Sequence, residues 1–544
     1  MPNESMIAGT LKAEPGPEVS WLPLIIIVLA QILMIFNISS LQVSIEGIAS
    51  SFGSAATAVG TAIVTYSLVV AGLILLGAKA GQRFGARRVF RATVAAFGVG
   101  MALMTASPRV ATMIVAQVIA GAAAAGLVPT LVVLTADTYR GGQQEKALGW
   151  LAGAQGMGIV VAFLTAGALS TWAGWRYTFG LLAIFAAVIY KLSERLPPVG
   201  KRNEVNIDWF GASLAATAVL LISLGANNLT HWGLLLAGPG APFSVVDMSP
   251  APIMILCGIF LVQAFFAWSA MRQRSRKATL VDEEVLNSGE ERSAAFSLFI
   301  VAAVGSAITF LIPLYIQVVQ GRSGFQTAIA VVPYSLASFA AAVLVVRLYS
   351  RLSPRRIARY AFLVIALGVA LLAVAIRNQW GTGSVVISMV LAGAGEGALV
   401  TLLFNVLVTA SPKHLAGDVG SLRGTTNNLA SGVGTALASA LLVGLLSTMV
   451  HRKLVDNAVI PNELKAAANL DDVRFISNAQ LNRFLGEKDA APQQIAEAGR
   501  INTEARIVAL KVALFTFAGL ALLAFFSAAG LPDKTHGGSP NGGK

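Results

Sequence analysis

Arg83-Phe-Gly-Ala-Arg-Arg-Val-Phe-Arg91 and Arg351-Leu-Ser-Pro-Arg-Arg-Ile-Ala-Arg359 are two nine-residue stretches of one chain. Four arginines recur in them in register: Arg83 with Arg351, Arg87 with Arg355, Arg88 with Arg356 and Arg91 with Arg359. Self-similarity of this kind marks an internal duplication. Each stretch is a short basic turn between long apolar runs. A helix needs about 20 mostly apolar residues to cross ~30 Å of hydrocarbon. Working outward from the two turns, such runs are found near 22–46, 58–79, 88–107, 110–136, 145–170, 176–192, 208–229, 250–271, 294–319, 326–349, 356–376, 383–409, 418–449 and 506–530. They are continuous rather than alternating, which predicts helices and not barrel strands. The first turn joins runs two and three, and the second joins runs ten and eleven. Two adjoining six-helix bundles would give an offset of six. The observed offset is eight, so two helices are inserted, and the polar stretches 193–206 and 272–293 mark runs seven and eight as the pair.

The expected fold is therefore an all-α polytopic membrane protein with 14 transmembrane helices: an N-terminal bundle over 22–192, an inserted pair with its linkers over 193–293, and a C-terminal bundle over 294–530. Tails cover 1–21 and 531–544. A long connection, 451–505, carries helix-compatible stretches at Asn462–Ala468 and Asn478–Lys488.

Composition agrees. Of 544 residues 12% are charged and 56% hydrophobic, about half the charge of a soluble domain. That excludes a water-soluble enzyme, a disordered chain and a nucleic-acid binder with one basic patch. The single Cys257 excludes an internal disulfide scaffold, and no Cys/His cluster has metal-ligand spacing. His231, His414, His451 and His536 stand apart and read as loop or surface residues. No Gly-x-x-x-x-Gly-Lys-Ser/Thr loop is present, so no cofactor is expected and a proton gradient is the expected source of energy.

Orientation follows from Lys and Arg in the short connections. One set, from Lys79 to Lys413, carries 22 of them; the other carries Arg109, Arg176, Arg322 and Arg377. The richer side is expected to be cytoplasmic, with both termini, in a bacterial cytoplasmic (inner) membrane. The net charge of +13 then addresses anionic lipid headgroups.

An ionisable residue at membrane depth is a functional candidate by default. Glu396, in Leu391-Ala-Gly-Ala-Gly-Glu-Gly-Ala-Leu399, is the clearest. Glycines leave room beside it, and a carboxyl taken out of bulk water can hold a proton and later release it. The alternative is a structural carboxylate with a buried partner. Arg423 is the expected charge partner, with Asp418 competing for it. Asn37, Gln42, Gln117, Gln155, Phe163, Tyr334, Asn405, Asn427 and Asn428 are candidates for a substrate cavity, the amides either binding a polar ligand or bonding helix to helix. Glu46 and Asp137 are expected at opposite membrane edges.

Several stretches resemble the major facilitator superfamily, in particular its fourteen-helix drug:proton antiporter branch. They are Arg83-Phe-Gly-Ala-Arg-Arg, Gly121-Ala-Ala-Ala-Ala-Gly-Leu-Val-Pro129, Arg140 through Lys146-Ala-Leu-Gly149, Trp175-Arg-Tyr-Thr-Phe179, Asp208-Trp-Phe-Gly211, and Pro313-Leu-Tyr-Ile-Gln317 with Gly321. The resemblance implies alternating access, export of amphipathic molecules, and a cytoplasmic gate at Gln82, Arg83, Gly85, Arg87 and Arg88. The chain departs from the pattern at four places. Gln82 and Asn37 stand where an acid is usual, Gln117 where an arginine is usual, and Ala162-Phe163 where a Gly-Pro pair is usual. Those departures leave open a proton-independent or differently coupled mover of lipids, siderophores or metabolites, and more remotely a non-transporting sensor or scaffold. Relatives in this branch often work with a periplasmic adaptor protein.

Overall fold

The computed structural model describes residues 20–533, except 140, 198–206, positions 234, 235, 239, 240 and 245, 276, 278, 281–287, 349–350, 379–381, 411–415, 456, 458, 462–477 and 488–489; some helical side chains between 141 and 157 and between 408 and 421 are likewise outside the description. The first group of helices comprises α1 (Leu22–Val43), a short α2 (Ile45–Phe52), α3 (Thr57–Phe84), α4 (Ala86–Thr105), α5 (Val110–Thr138), α6 (Gly141–Trp172) and α7 (Trp175–Leu192). The inserted pair is α8 (Trp209–Trp232) and α9 (Pro250–Arg274). The last group is α10 (Gly289–Leu314), α11 (Gly324–Leu348), α12 (Pro354–Ala375), α13 (Thr382–Ala410), α14 (Ala416–Val455), a short α15 (Asn478–Gly486) and α16 (Pro492–Ser527).

Among the described residues, thirteen helices are long and apolar enough to cross a membrane; α6 adds the apolar segment Gly158–Trp172. The chain is a multi-pass integral membrane protein. Helix starts follow local chemistry. Asp208 caps α8 by accepting from the Gly211 amide at 3.0 Å, Ser249 caps α9, and Ser288 with Glu291 forms a capping box on α10. Asp208 also accepts from Trp268 Nε1 at 3.0 Å and pairs with Arg272 at 3.5 Å, which binds the start of α8 to the end of α9.

The duplication is visible in the packing. In the first group α3 packs on α5, α4 on α5 and α7, and α1 on α6. In the last group α11 packs on α13, α12 on α13 and α16, and α10 on α14. The basic turns occupy equivalent places. Arg87 donates to the Glu194 carbonyl beyond the end of α7 (2.6 Å), and Arg91 lies over the Tyr190 ring of α7 (4.9 Å). Arg355 pairs with Asp533 beyond the end of α16 (3.2 Å), and Arg359 lies over the Phe525 ring of α16 (5.3 Å). Each bundle thus closes its second turn onto its own last helix. Gly85, at φ 92°, makes the α3–α4 turn, a conformation costly for any residue with a Cβ.

The two bundles meet along α3 with α14 and α6 with α11. α8 lies against the first of these seams. Val219 and Ala226 of α8 pack with Val64, Leu68 and Ala71 of α3 and with Ala436 of α14.

Two expectations need correction. The first span does not run unbroken to residue 46: α1 ends at Val43 and the chain restarts as α2, which puts Gln42 at the helix end rather than at depth. The long connection is also shorter than expected, because α14 continues to Val455 and α16 begins at Pro492, with proline at its first position, where a missing N–H costs nothing. Within that connection Asn478–Gly486 is helical, while Asn462–Ala468 lies outside the described residues.

Candidate functional site

Three groups of polar residues stand out, one within each bundle and one across the contact between them. The first centres on Glu396. It stands fourteen residues from each end of α13 (Thr382–Ala410), ~21 Å along the axis from either terminus. Tyr334 of α11 donates its hydroxyl hydrogen to Glu396 Oε2. Gly305 of α10 faces the other oxygen, and a Cβ at that position would collide with the carboxylate. Gly393 and Gly397 bring α13 against the backbone of α11 at Tyr334 and Ser338. One carboxyl is thereby held between three helices by a phenol and a glycine gap, with no cation within ion-pair distance among the described residues.

The expected pairing of Glu396 with Arg423 is not formed. Arg423 of α14 places its guanidinium over the Phe404 ring at 4.0 Å, and Phe404 lies two turns along α13 from Glu396. A guanidinium is weakly hydrated and stacks well on an aromatic face, which gives Arg423 a partner without the carboxylate. Asp418 has no described side chain, so its competition for Arg423 lies outside the described residues, as does Gln155. Asn428 donates back to the Gly424 carbonyl (2.9 Å), Asn427 is exposed and Asn405 half-buried. Phe163 is buried in the apolar core.

The second group is Asn37 of α1 with Gln117 of α5. Both are fully buried. Asn37 Nδ2 donates to Gln117 Oε1 at 2.9 Å, and Gln117 Nε2 donates to Asn37 Oδ1 at 3.3 Å. These are the two positions where the family resemblance leads one to expect an acid and an arginine. In this chain two amides form a reciprocal bond there.

The third group was not anticipated as a unit. It lies at the end of the bundles opposite the basic turns. After Pro313, α10 widens into a π-helical turn, Tyr315–Val319, a distortion often found where side chains must be re-aimed for function. That turn delivers Gln317 across the interface. Its Nε2 donates to the Gln42 carbonyl (2.8 Å) and its Oε1 accepts from the Glu46 amide (3.2 Å). Nearby, the Phe325 amide of α11 donates to Thr171 of α6 (2.9 Å), and Trp172 stacks on Phe325 at 5.1 Å.

Arg506 of α16, only 1% exposed, donates from Nη1 to the Val318 carbonyl (3.2 Å) and from Nη2 to Asn478 of α15 (2.7 Å). Glu46 of α2 has its Oε2 buried without a hydrogen-bond partner among the described residues. The sequence places Arg506 at the start of the last span; the structure places it inside α16, which begins at Pro492.

At the other end Gln82 is half-buried, Arg83 and Arg88 are exposed, and Arg83 lies 5.7 Å from the Phe84 ring centroid. Arg87 and Arg91 reach Glu194, so the turn gains a carboxylate from α7's end although residue 82 supplies none. Asp137 is exposed near the same end.

Two similarly packed helix bundles in contact, with a carboxyl at the midpoint of a spanning helix, define a membrane transporter rather than an enzyme. The sequence model of the Major Facilitator Superfamily matches residues 27–435, and the chain belongs to that superfamily. Among similar proteins, the puromycin resistance protein pur8 of Streptomyces alboniger is 25% identical over 81% of this chain and 86% of its own length. The multidrug efflux pump LfrA of Mycolicibacterium smegmatis is 25% identical over 85% of this chain and 88% of its own. The probable actinorhodin transporter of Streptomyces coelicolor is 22% identical over 90% and 84%. Among solved structures, a bacterial homolog of the human lysosomal transporter Spinster, in an inward-facing and occupied conformation, matches with a TM-score of 0.62 at 15% identity, covering 93% of this chain and 96% of that one. That likeness establishes a shared fold.

Proposed function

We propose that the chain exports amphipathic small molecules in exchange for protons, by alternating access, with the basic-turn end in the cytoplasm of a bacterial cell and both termini on that side. The observation that carries this reading is Glu396: a carboxyl at the midpoint of a membrane helix, bonded to a phenol and free of an ion-pair partner among the described residues. A carboxylate compensated by a buried cation would stay ionised. One held only by a neutral donor can alternate between charged and neutral forms as water reaches it, which is the property a proton carrier needs.

Alternating access gives the other groups their roles. The hydrogen bonds of Gln317 and Phe325, together with Glu46 and Arg506, hold the bundles together at the end away from the basic turns. They act as the outer gate, and rocking of one bundle on the other would break them. Glu194 and Asp533 fasten the basic turns within their own bundles, so each turn moves as a rigid part of its bundle. Resistance and efflux relatives support an organic cargo moved out of the cell. This reading needs no periplasmic adaptor.

The test is Glu396→Gln in lipid vesicles. Export driven by a pH gradient is expected to be abolished, while exchange of labelled for unlabelled substrate across the membrane persists, because that half of the cycle needs no proton. Retained pH-driven export in the variant would remove Glu396 from the role.

A further inference from the structure

The two bundles are built alike, yet only one carries an acid at depth. α5 and α13 are equivalent in the duplication and both have 29 residues. Counted from the helix start, the place of Glu396 in α13 is taken in α5 by Ala124, a buried apolar residue. The acids of the first bundle, Glu46, Asp137, Glu145 and Glu194, all stand near helix ends. On α1 and α5 the amides away from the helix ends are Gln31, half-buried, and Asn37 and Gln117, which are fully buried and bond each other. An amide neither binds nor releases a proton in the physiological range. In the reciprocal pair each amide oxygen and each amide nitrogen already has a partner, and both side chains are buried.

We propose that each transport cycle carries one proton, on Glu396, and that the N-terminal bundle is proton-silent because Asn37 and Gln117 form a closed neutral strut between α1 and α5. This rests on the antiport reading and adds to it a number and a cargo class. The groups facing Glu396 are the Tyr334 hydroxyl from α11 and Gly305 from α10, while α12 contributes the apolar Ala361 and Ile365 behind Gly395. Arg423 of α14 stays on Phe404, two turns away. Replacing the proton on Glu396 by a monovalent organic cation leaves the charge of this region unchanged. A divalent cation adds one uncompensated charge beside Arg423, in surroundings where bare charge is expensive. Monovalent organic cations are therefore the favoured cargo, and their exchange for one proton is electroneutral.

The experiment uses the full chain in vesicles of phosphatidylethanolamine and phosphatidylglycerol, with tetraphenylphosphonium as the probe and the membrane potential clamped at zero by valinomycin and equal potassium. At equilibrium a proton gradient of about tenfold should support about tenfold accumulation of the probe, since one proton trades for one cation and equal ratios balance equal free energies. About hundredfold accumulation would mean two protons; it would overturn the inference and leave the antiport reading intact. No accumulation in the parent would reject the antiport reading itself. Replacing the pair with Asn37→Leu/Gln117→Leu should leave the tenfold ratio unchanged, and Asn37→Gln/Gln117→Asn, which preserves the amide pair, serves if the apolar variant does not fold. A ratio that falls in either variant would show that the pair takes part in coupling. Glu396→Gln should bring the ratio to about one, and a ratio still near tenfold would place the carrier elsewhere.

Discussion

Toward the end opposite the basic turns the first bundle holds an amide against an amide, and at the midpoint of α13 the second holds a carboxyl against a phenol. Of the helices that present these groups, α5 and α13 are equivalent by duplication, while their partners α1 and α11 are not. What differs is whether the polar pair can change its charge. Asn37 and Gln117 bond each other reciprocally at 2.9 and 3.3 Å, and as amides they can hold α1 to α5 through a cycle without exchanging a proton with water. Glu396 has one donor and a glycine gap, so it can. A duplicated transporter can thus divide its labour, with one bundle serving as scaffold and the other as carrier, through a few side chains on a common frame.

The comparison is broken most severely at Glu396. Glu396→Gln keeps the shape and can still hydrogen-bond Tyr334, but it removes the exchangeable proton, and pH-driven export measured in vesicles should drop to background. Filling the gap is the next largest change. Gly305→Ala drives a methyl into the carboxylate, and overpacking of this kind costs about 1–3 kcal/mol. Thermal unfolding should show a lowered midpoint, with coupling impaired in whatever protein remains folded.

The first bundle should answer differently. Asn37→Leu strands the Gln117 amide in an apolar interior at a cost of about 1–3 kcal/mol. Asn37→Leu with Gln117→Leu removes both partners and should recover most of that loss. A double-mutant cycle on thermal stability reads the difference, and full additivity of the two single changes would show that the pair is not one unit.

Smaller again is the outer gate. Arg506→Gln keeps a donor while removing the charge opposite Glu46, and should raise severalfold the labelling of a cysteine introduced at Ser44 by an impermeant thiol reagent, after Cys257 has been replaced by serine. The basic turns should respond least. Arg87→Ala and Arg355→Ala each remove partly exposed contacts worth about 0.2–1 kcal/mol, and because the turns are equivalent the two losses should be similar.

Most of the fold could be read from the chain because its determinants are local. Apolar run length sets the spans, arginine register sets the duplication, and an offset of eight sets the inserted pair. Glu396 could be found for the same reason, since a lone acid in an apolar run needs no partner to be noticed. What could not be read were the pairings. Arg423 was assigned to Glu396 because charge attracts charge, yet the guanidinium found the face of Phe404, a contact between α13 and α14 that no sequence spacing encodes. Asn37 and Gln117 are eighty residues apart and only folding brings them together. Gln42 was placed at depth because a break of one residue between two helices leaves almost no trace in hydropathy. Gln317 reaches the opposite bundle through a π-turn, which shifts a side chain around the helix axis relative to any regular count.

The central claim is that one proton leaves Glu396 when substrate arrives. It is tested most directly by proton release from the purified protein in lipid nanodiscs, in weakly buffered solution, on addition of a saturating monovalent substrate. The account predicts release in the parent of no more than about one proton per bound substrate, rising toward that limit as the starting pH falls and the carboxyl is more fully protonated, and none from Glu396→Gln although the substrate still binds. Undiminished release from the variant, or binding without release from the parent at every pH, would contradict it.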